Sequence, residues 1–473
     1  MNEHSSITRT FPFPVKAIHT APPPSRLYAV GEALRRHRRA ILAVQWGVVL
    51  FYFVLVTVPA FLPLPKEAAH IYNNLTFFAQ FAFWGVWWPF VILSMMIAGR
   101  AWCGLFCPEG ALTELASRHG LGRPVPRWLK WGGWPFIAFV ATTVYGQLVS
   151  VYEYPKAVLL ILGGSTIAAL AVGLVYGNGS RVWCRHLCPV SGVFGLLARL
   201  APVHFRVDRA TWDATPHAAT VDCAPLVDIR RMKGSSQCHM CGRCSGHRNA
   251  VSLAARPLGC EITALAADEA RPWETRLLVF GTLGVAVGAF QWSASPWFVA
   301  VKQKLAEWLV TNNSFALLQD NAPWWLLTHY PEANDVFTWL DGLLILAYIG
   351  AAALLLGGWI SLWLRLAAVC LPGNRTQTAH RLAYALVPLA GAGLFLGLSS
   401  LTVTLVKAEG IALPWLPYAR GTLLAVSIAG SLALAHRQLT VTVPPLRRGV
   451  AVTVFAVAMV PVVVAWVALF FLW

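Results

Sequence analysis

Nine apolar runs of about 20 residues, the length that crosses a hydrocarbon core, recur along the chain. They lie at roughly 40–62, 75–98, 131–152, 157–176, 277–299, 337–364, 382–406, 418–436 and 449–473. Each is a candidate membrane span. Two longer polar stretches interrupt the series. Residues 177–275 form the one extended non-membrane segment, and 300–336 carries "KQKLAEWL" and "NAPWWLLTHYPEAND". The second reads as an interfacial segment, because Trp and Tyr favour the headgroup level. The first 30 residues, with "FPFP" and "APPPS", read as a flexible tail. The pattern predicts a mostly α, polytopic helical membrane protein. It divides into a basic tail (1–38), a four-span unit (39–200), a segment outside the membrane (201–275) and a C-terminal unit of about five spans (276–473).

Composition agrees with this reading. Of 473 residues, 57% are hydrophobic and 12% charged, against about 25% charged in an average soluble domain; mean hydropathy is +0.59. The net charge of +17 does not point to nucleic acid, because the cations sit between spans. Arg35, Arg36, Arg38 and Arg39 precede the first, and nothing before them resembles a removable signal peptide. Arg100, Arg118, Arg123, Arg127 and Lys130 separate the second and third. Arg365, Arg375 and Arg381 separate the sixth and seventh; Arg437, Arg447 and Arg448 the eighth and ninth. The excess of cations on cytoplasmic loops places these loops, the N-terminus and residues 177–275 in the cytoplasm of a bacterial inner membrane, with 300–336 and the C-terminus outside. The basic charge then serves topology and contact with anionic lipid.

Nine of the ten cysteines fall between 103 and 260, on the side read as cytoplasmic. That compartment is reducing, which favours metal ligation over disulfides; Cys370 stands alone. "CHMCGRC" spaces Cys238, Cys241 and Cys244 as C-x2-C-x2-C, a loop whose thiolates converge on three irons of a cubane. Zinc is the rival, but zinc sites normally use two separated pairs. The common bacterial pattern adds C-P four residues on, where this chain has Arg248. In two-cluster ferredoxins that last cysteine serves the other cluster, so the fourth ligand here would come from upstream. Cys223 in "DCAPLVDIR" is the candidate, with Cys260 as its rival. The three further cysteines of an upstream motif would fall at Asp213, Pro216 and Ala219. The losses are therefore coherent: one cluster's ligands are absent and its neighbour's are all present. Residues 201–275 read as a two-cluster ferredoxin-like segment reduced to one [4Fe–4S] cluster.

A second motif is duplicated. "RAWCGLFCPEGALTELASR" (100–118) aligns without a gap with "RVWCRHLCPVSGVFGLLAR" (181–199), matching Arg100 with Arg181, Trp102 with Trp183, Cys103 and Cys107 with Cys184 and Cys188, and Pro108 with Pro189. With the cytoplasmic ferredoxin segment, these C-x3-C-P motifs make residues 75–260 resemble the membrane-anchored polyferredoxins of the NosR, NapH and FixG/CcoG type. "CAPLVDIR" is similar to the CPxGIDIR stretch of the FixG/CcoG branch. The resemblance does not extend to 276–473.

Each C-x3-C pair places its thiols at i and i+4 on one face of a helical turn, and Pro108 and Pro189 then begin fresh helices. Two equivalent hairpins would bring both pairs to one depth, giving four thiols for one site. A shared Fe–S cluster, a thiophilic ion such as copper, and simple packing at helix ends are the three readings, with Arg100, Arg181 and Arg185 near enough to offset cluster charge. His380 and His436, near the inner ends of two spans, raise a bis-histidine haem; His186 reads as an interfacial histidine. The whole predicts an iron–sulfur electron-transfer protein at the cytoplasmic face, exchanging electrons with redox proteins or the quinone pool. The FixG/CcoG resemblance implies an alternative, copper reduction during maturation of a respiratory oxidase. A transporter with thiol gates is the third class, and it lacks the mid-membrane ionisable sites that such a protein needs.

Overall fold

The computed structural model describes residues 25–65, 69–215, 220–440 and 443–473. Among these, eight helices are long and apolar enough to cross a membrane: Arg38–Phe61, Leu75–Ala98, Pro155–Tyr176, Pro272–Gln291, Trp339–Val369, Arg375–Ala408, Leu416–Leu439 and Pro445–Leu472. The run at 131–152, expected as a ninth, forms the 15-residue helix Trp134–Leu148, about 22 Å long at 1.5 Å per residue. Its apolar length is spent partly on turns, with bonds from Val151 to Gly146 and from Tyr154 to Ser150. Even so, the helix joins opposite ends of the bundle. Trp131 packs edge-on against Trp273, centroids 4.8 Å apart, while Leu148 carbonyl accepts from Thr328 N–H at 2.8 Å. The run at 277–299 is also divided. Its helix closes at Gln291, and Pro296, which suits a helix start, opens a separate helix, Pro296–Thr311. Trp297 and Trp308 on that helix are exposed.

Two helices of the C-terminal unit meet by close backbone approach. Gly284 and Gly288, spaced as G-x3-G, lie against Trp339–Val369; a Cβ on Gly284 would meet Ala353 Cα at 2.8 Å, and one on Gly288 Ala352 Cβ at 2.8 Å. Small residues permit this contact between apolar helices, where dispersion replaces the hydrophobic effect as the main attraction.

The described residues between 203 and 255 form a small lobe at one end of the bundle. Strands β1 (Val203–Val207) and β2 (Val251–Ala255) pair antiparallel, Phe205 opposite Leu253, and Phe205, Val251 and Leu253 pack with Cys238 and Met240. The basic tail expected over 1–38 is helical where described: Arg26–Arg36, capped by Ser25, lies on this lobe. Glu32 accepts from Ser245 Oγ at 2.7 Å, and Leu27 joins the lobe's apolar cluster.

Candidate metal centres

Cys223, Cys238, Cys241 and Cys244 all line one small cavity, of about 20 Å3, walled by Phe205, Ile229 and Met232. The loop winds tightly because Met240 (φ 53°) and Gly242 (φ 74°) take left-handed backbone between successive cysteines. That turn aims Met240 N–H at Cys238 Sγ, 3.3 Å away. Burial pushes the Cys238 thiol well up, and the neighbouring Cys244, Cys241 and Cys223 sulfurs add to it. Burial, then Cys241 and Cys223, pushes Cys244 up to about 12. Cys260 is elsewhere. It opens a short helix, Cys260–Thr263, beside Gly259, which rests on Leu434 of the Leu416–Leu439 helix.

The position of the missing fourth cysteine is filled. Arg248 lies over the Trp212 ring at 5.1 Å and donates to Thr215 and Trp212 carbonyls at 2.5 and 3.3 Å. Asp213 pairs with Arg230 at 2.9 Å. Pro216 and Ala219 lie outside the described residues. An arginine and a tryptophan thus occupy the side on which a second cluster of the fuller pattern would sit.

Cys103, Cys107, Cys184 and Cys188 line a second cavity, of about 230 Å3, which runs on between aromatic side chains of the bundle such as Trp84, Trp88 and Phe194. Both copies of the motif fold alike. Five-residue helices, Ala101–Leu105 and Val182–His186, carry the first cysteine. In each, the second cysteine's N–H reaches back to the tryptophan carbonyl at 3.0 Å, Cys107 to Trp102 and Cys188 to Trp183. The expected single helical face is therefore corrected. The helix closes between the two cysteines, and Cys107 is the extended N-cap (φ −63°, ψ 119°) of Pro108–Arg118, its Sγ accepting from Gly110 N–H at 3.4 Å. Proline forces this break, because it disfavours helical backbone in the residue before it. In the second copy the new helix begins at Ser191, beyond Pro189. Burial pushes the Cys107 and Cys188 thiols well up and Cys184 to about 12. The other sulfurs act on each: Cys184 and Cys103 on Cys107, Cys184 and Cys107 on Cys188. Glu109 sits beside them, accepting from Ser165 Oγ at 2.6 Å and Trp183 Nε1 at 3.1 Å; burial pushes its carboxyl up.

The two thiol sets are neighbours. Gly104, inside the first C-x3-C, faces the ferredoxin loop so closely that a Cβ there would run into the His239 carbonyl and stand 3.0 Å from Cys241 N. Beside this contact lies a buried ion network. Arg181, 2% exposed, donates to Cys103 carbonyl at 2.6 Å and pairs with Glu114 Oε2 at 2.8 Å. Glu114 Oε1 takes Arg243 at 2.6 Å, and Arg243 reaches Asp222 at 3.3 Å. Burial opposes the charge of Glu114, but Arg181 and Arg243 outweigh it and hold the carboxyl below its usual range. The Arg181 guanidinium feels both Cys184 and Cys241. Sequence spacing marked the eight cysteines but not Gly104, Glu114 or Arg243. The only local sign was the position of Gly104 and Arg243 inside the two motifs.

The donor chemistry suits iron–sulfur clusters: four thiols line each of two cavities, Cys103, Cys184 and Cys238 buried and the other five half-buried, with guanidinium groups alongside to offset negative charge. Among the described residues no three His, Cys, Asp or Glu side chains close on one point as a single metal ion requires. His186 is half-buried, pushed down to about 4 by burial and by Arg185 and Lys130.

Comparison with known proteins bears on the duplicated motif. A family profile described as "4Fe-4S binding domain" matches residues 80–130 and 160–208, one match on each C-x3-C-P copy. The chain is 28% identical over 140 residues to the protein named "Putative electron transport protein YccM" of Escherichia coli K12, covering 25% of this chain and 39% of that one. It is 28% identical over 162 residues to "Methylamine utilization ferredoxin-type protein MauN" of Paracoccus denitrificans, covering 30% and 55%. To the MauN of Methylorubrum extorquens it is 29% identical over 135 residues, covering 25% and 45%. The chain spans between two fifths and just over half the length of these relatives. No solved structure matches it. The chain carries a 4Fe–4S binding domain and is homologous to ferredoxin-type electron-transport proteins.

Proposed function

We propose that this is a bacterial inner-membrane polyferredoxin of the NosR, NapH and FixG/CcoG type that passes single electrons between two [4Fe–4S] clusters at the cytoplasmic face. Cys223, Cys238, Cys241 and Cys244 would hold one; Cys103, Cys107, Cys184 and Cys188 would hold the other. The observation that carries the reading is the contact of Gly104 with the His239–Cys241 backbone, which sets two four-thiol cavities side by side. The clusters, when bound, supply the one-electron chemistry. The chain's own residues do the rest. The thiols lose their protons on ligation, buried walls exclude water, and Arg100 and Arg181 oppose the charge of the thiolates. Donor and acceptor would be a soluble redox protein on the lobe side and a membrane component, the quinone pool among them. A copper-handling role finds less support, since the profile matched at both motif copies is one for iron–sulfur binding.

Anaerobic purification with iron, sulfide and EPR analysis tests this. Two cubanes require about eight irons and eight sulfides per chain. Cys103→Ser and Cys223→Ala should each remove about half, and Cys260→Ala none. Iron unchanged by Cys103→Ser would remove the second cluster from the proposal; iron lost on Cys260→Ala would transfer the fourth ligand of the lobe site to Cys260.

A further inference from the structure

We infer that the cavity at the junction of lobe and bundle binds a phosphate-bearing anion. It measures about 500 Å3 and is lined by Arg100, Lys130, Arg185 and Arg271 against a single carboxylate, Glu274. That carboxylate is already engaged, by Arg199 at 2.8 Å, the Tyr384 hydroxyl at 2.9 Å and Arg271 at 3.6 Å. Arg100 is 6% exposed and forms no ion pair among the described residues. Its Nη1 donates to Ser236 carbonyl and its Nη2 to Ser191 Oγ, leaving Nε buried without a partner. Nδ1 of His239, 2% exposed and also lining the cavity, is buried and unpartnered as well. A buried, unpaired guanidinium is costly unless an anion meets it.

Thiolates at the paired motif would answer part of the Arg100 charge. They do not account for Lys130 and Arg185, which come from two other segments, line the same space and form no ion pair among the described residues; Arg271, also on the cavity wall, shares Glu274 with Arg199. The space is many times the roughly 30 Å3 share of one water, so it accommodates a phosphate ester with part of its substituent, and arginine forks match phosphate oxygens bidentately. The edge-to-face pair Trp131–Trp273 lies on its rim, as aromatic residues do at headgroup depth. Two sources share this chemistry: the headgroup of an anionic phospholipid and a soluble phosphate compound. Because Cys184 also lines the cavity, an occupant would place negative charge beside the paired thiols and lower the reduction potential there. That consequence rests on the two-cluster reading; the binding does not.

The test uses the full chain in phosphatidylcholine nanodiscs, titrated with inorganic pyrophosphate at constant ionic strength and read by melting temperature. Native mass spectrometry of detergent-extracted protein, for retained phosphatidylglycerol, runs beside it. The expected result is saturable stabilisation by pyrophosphate, weakened roughly tenfold or more by Lys130→Ala/Arg271→Ala. Lys130→Glu alone should weaken it in the same direction. Both side chains are largely solvent-exposed, so iron content, measured alongside, should be unchanged. Retained phosphatidylglycerol, with the pyrophosphate response abolished in nanodiscs containing that lipid, identifies the headgroup as occupant; a response that survives identifies a soluble phosphate compound. No saturable response, or one that all variants leave unchanged, overturns the inference. The readout needs no cluster, so this test and the iron analysis fail independently.

Discussion

Glu114, its side chain only 6% exposed, pairs with the buried Arg181 and the half-buried Arg243, one beside each thiol set, and with the exposed Arg118 at 3.4 Å. Removing one partner of such a network strands the other charges in low dielectric, a loss of about 3–5 kcal/mol. Glu114→Gln should therefore lower thermal stability strongly; a melting temperature within a degree of the parent would show the arginines to be solvated. The thiols make a different demand. An ordinary thiol ionises near pH 8.5, whereas burial pushes Cys184 and Cys244 to about 12. In cluster-free protein the folded state holds these protons over a pH range in which the unfolded state has lost them. Their stabilising contribution is full below about pH 8.5 and is lost as pH rises toward 12. Chelator-treated protein should lose melting temperature over that window more steeply than anaerobically loaded protein, whose thiolates carry no protons to lose. Parallel pH profiles for the two forms would contradict ligation by these cysteines.

At the scale of elements, the duplicated motif works by breaking helices. Each five-residue helix ends before its second cysteine, so a pair is presented by one helix and the start of the next segment. The spans that feed the two motifs both contain a π-helical stretch, Phe81–Trp87 and Leu159–Gly163. Phe83, Trp84 and Ile161 from these stretches line the thiol cavity; such wide turns are common beside functional sites. Gly104 is where one motif meets the other site. Gly104→Val must push the Cys238–Cys241 loop outward, because the obstructing atoms are backbone. Iron content should hold, while spin–spin broadening in the reduced EPR spectrum falls and electron exchange between the sites slows. Undiminished broadening would show that the contact does not set the distance between them.

For the whole molecule, both thiol sets, the lobe and the cation-lined cavity gather at one end of the bundle, and 300–336 lies at the other. Helix Trp134–Leu148 demonstrates this, with Trp131 at the first end and Leu148 against Thr328 at the second. Reporter fusions at about residue 230 and about residue 318 should therefore report opposite sides, the first cytoplasmic by the arginine distribution. Both on one side would leave the 15-residue helix outside the membrane and remove the reducing-compartment argument for ligation.

The apolar runs, the cysteine spacings and the duplicated motif are local properties, and they determined the helical membrane architecture and the cysteines worth testing. Burial of a 20-residue apolar run leaves little choice of structure, and a C-x2-C-x2-C loop brings its own thiols together. Local pattern did not determine that Trp134–Leu148 stops short or that the segment 26–36 folds onto the lobe. Nor did it reveal that Gly104 touches the second thiol set and Glu114 joins Arg181 to Arg243. These are contacts between segments 60 to 210 residues apart along the chain, chosen by packing and by the need to pair buried charge. No periodicity within a single segment records them.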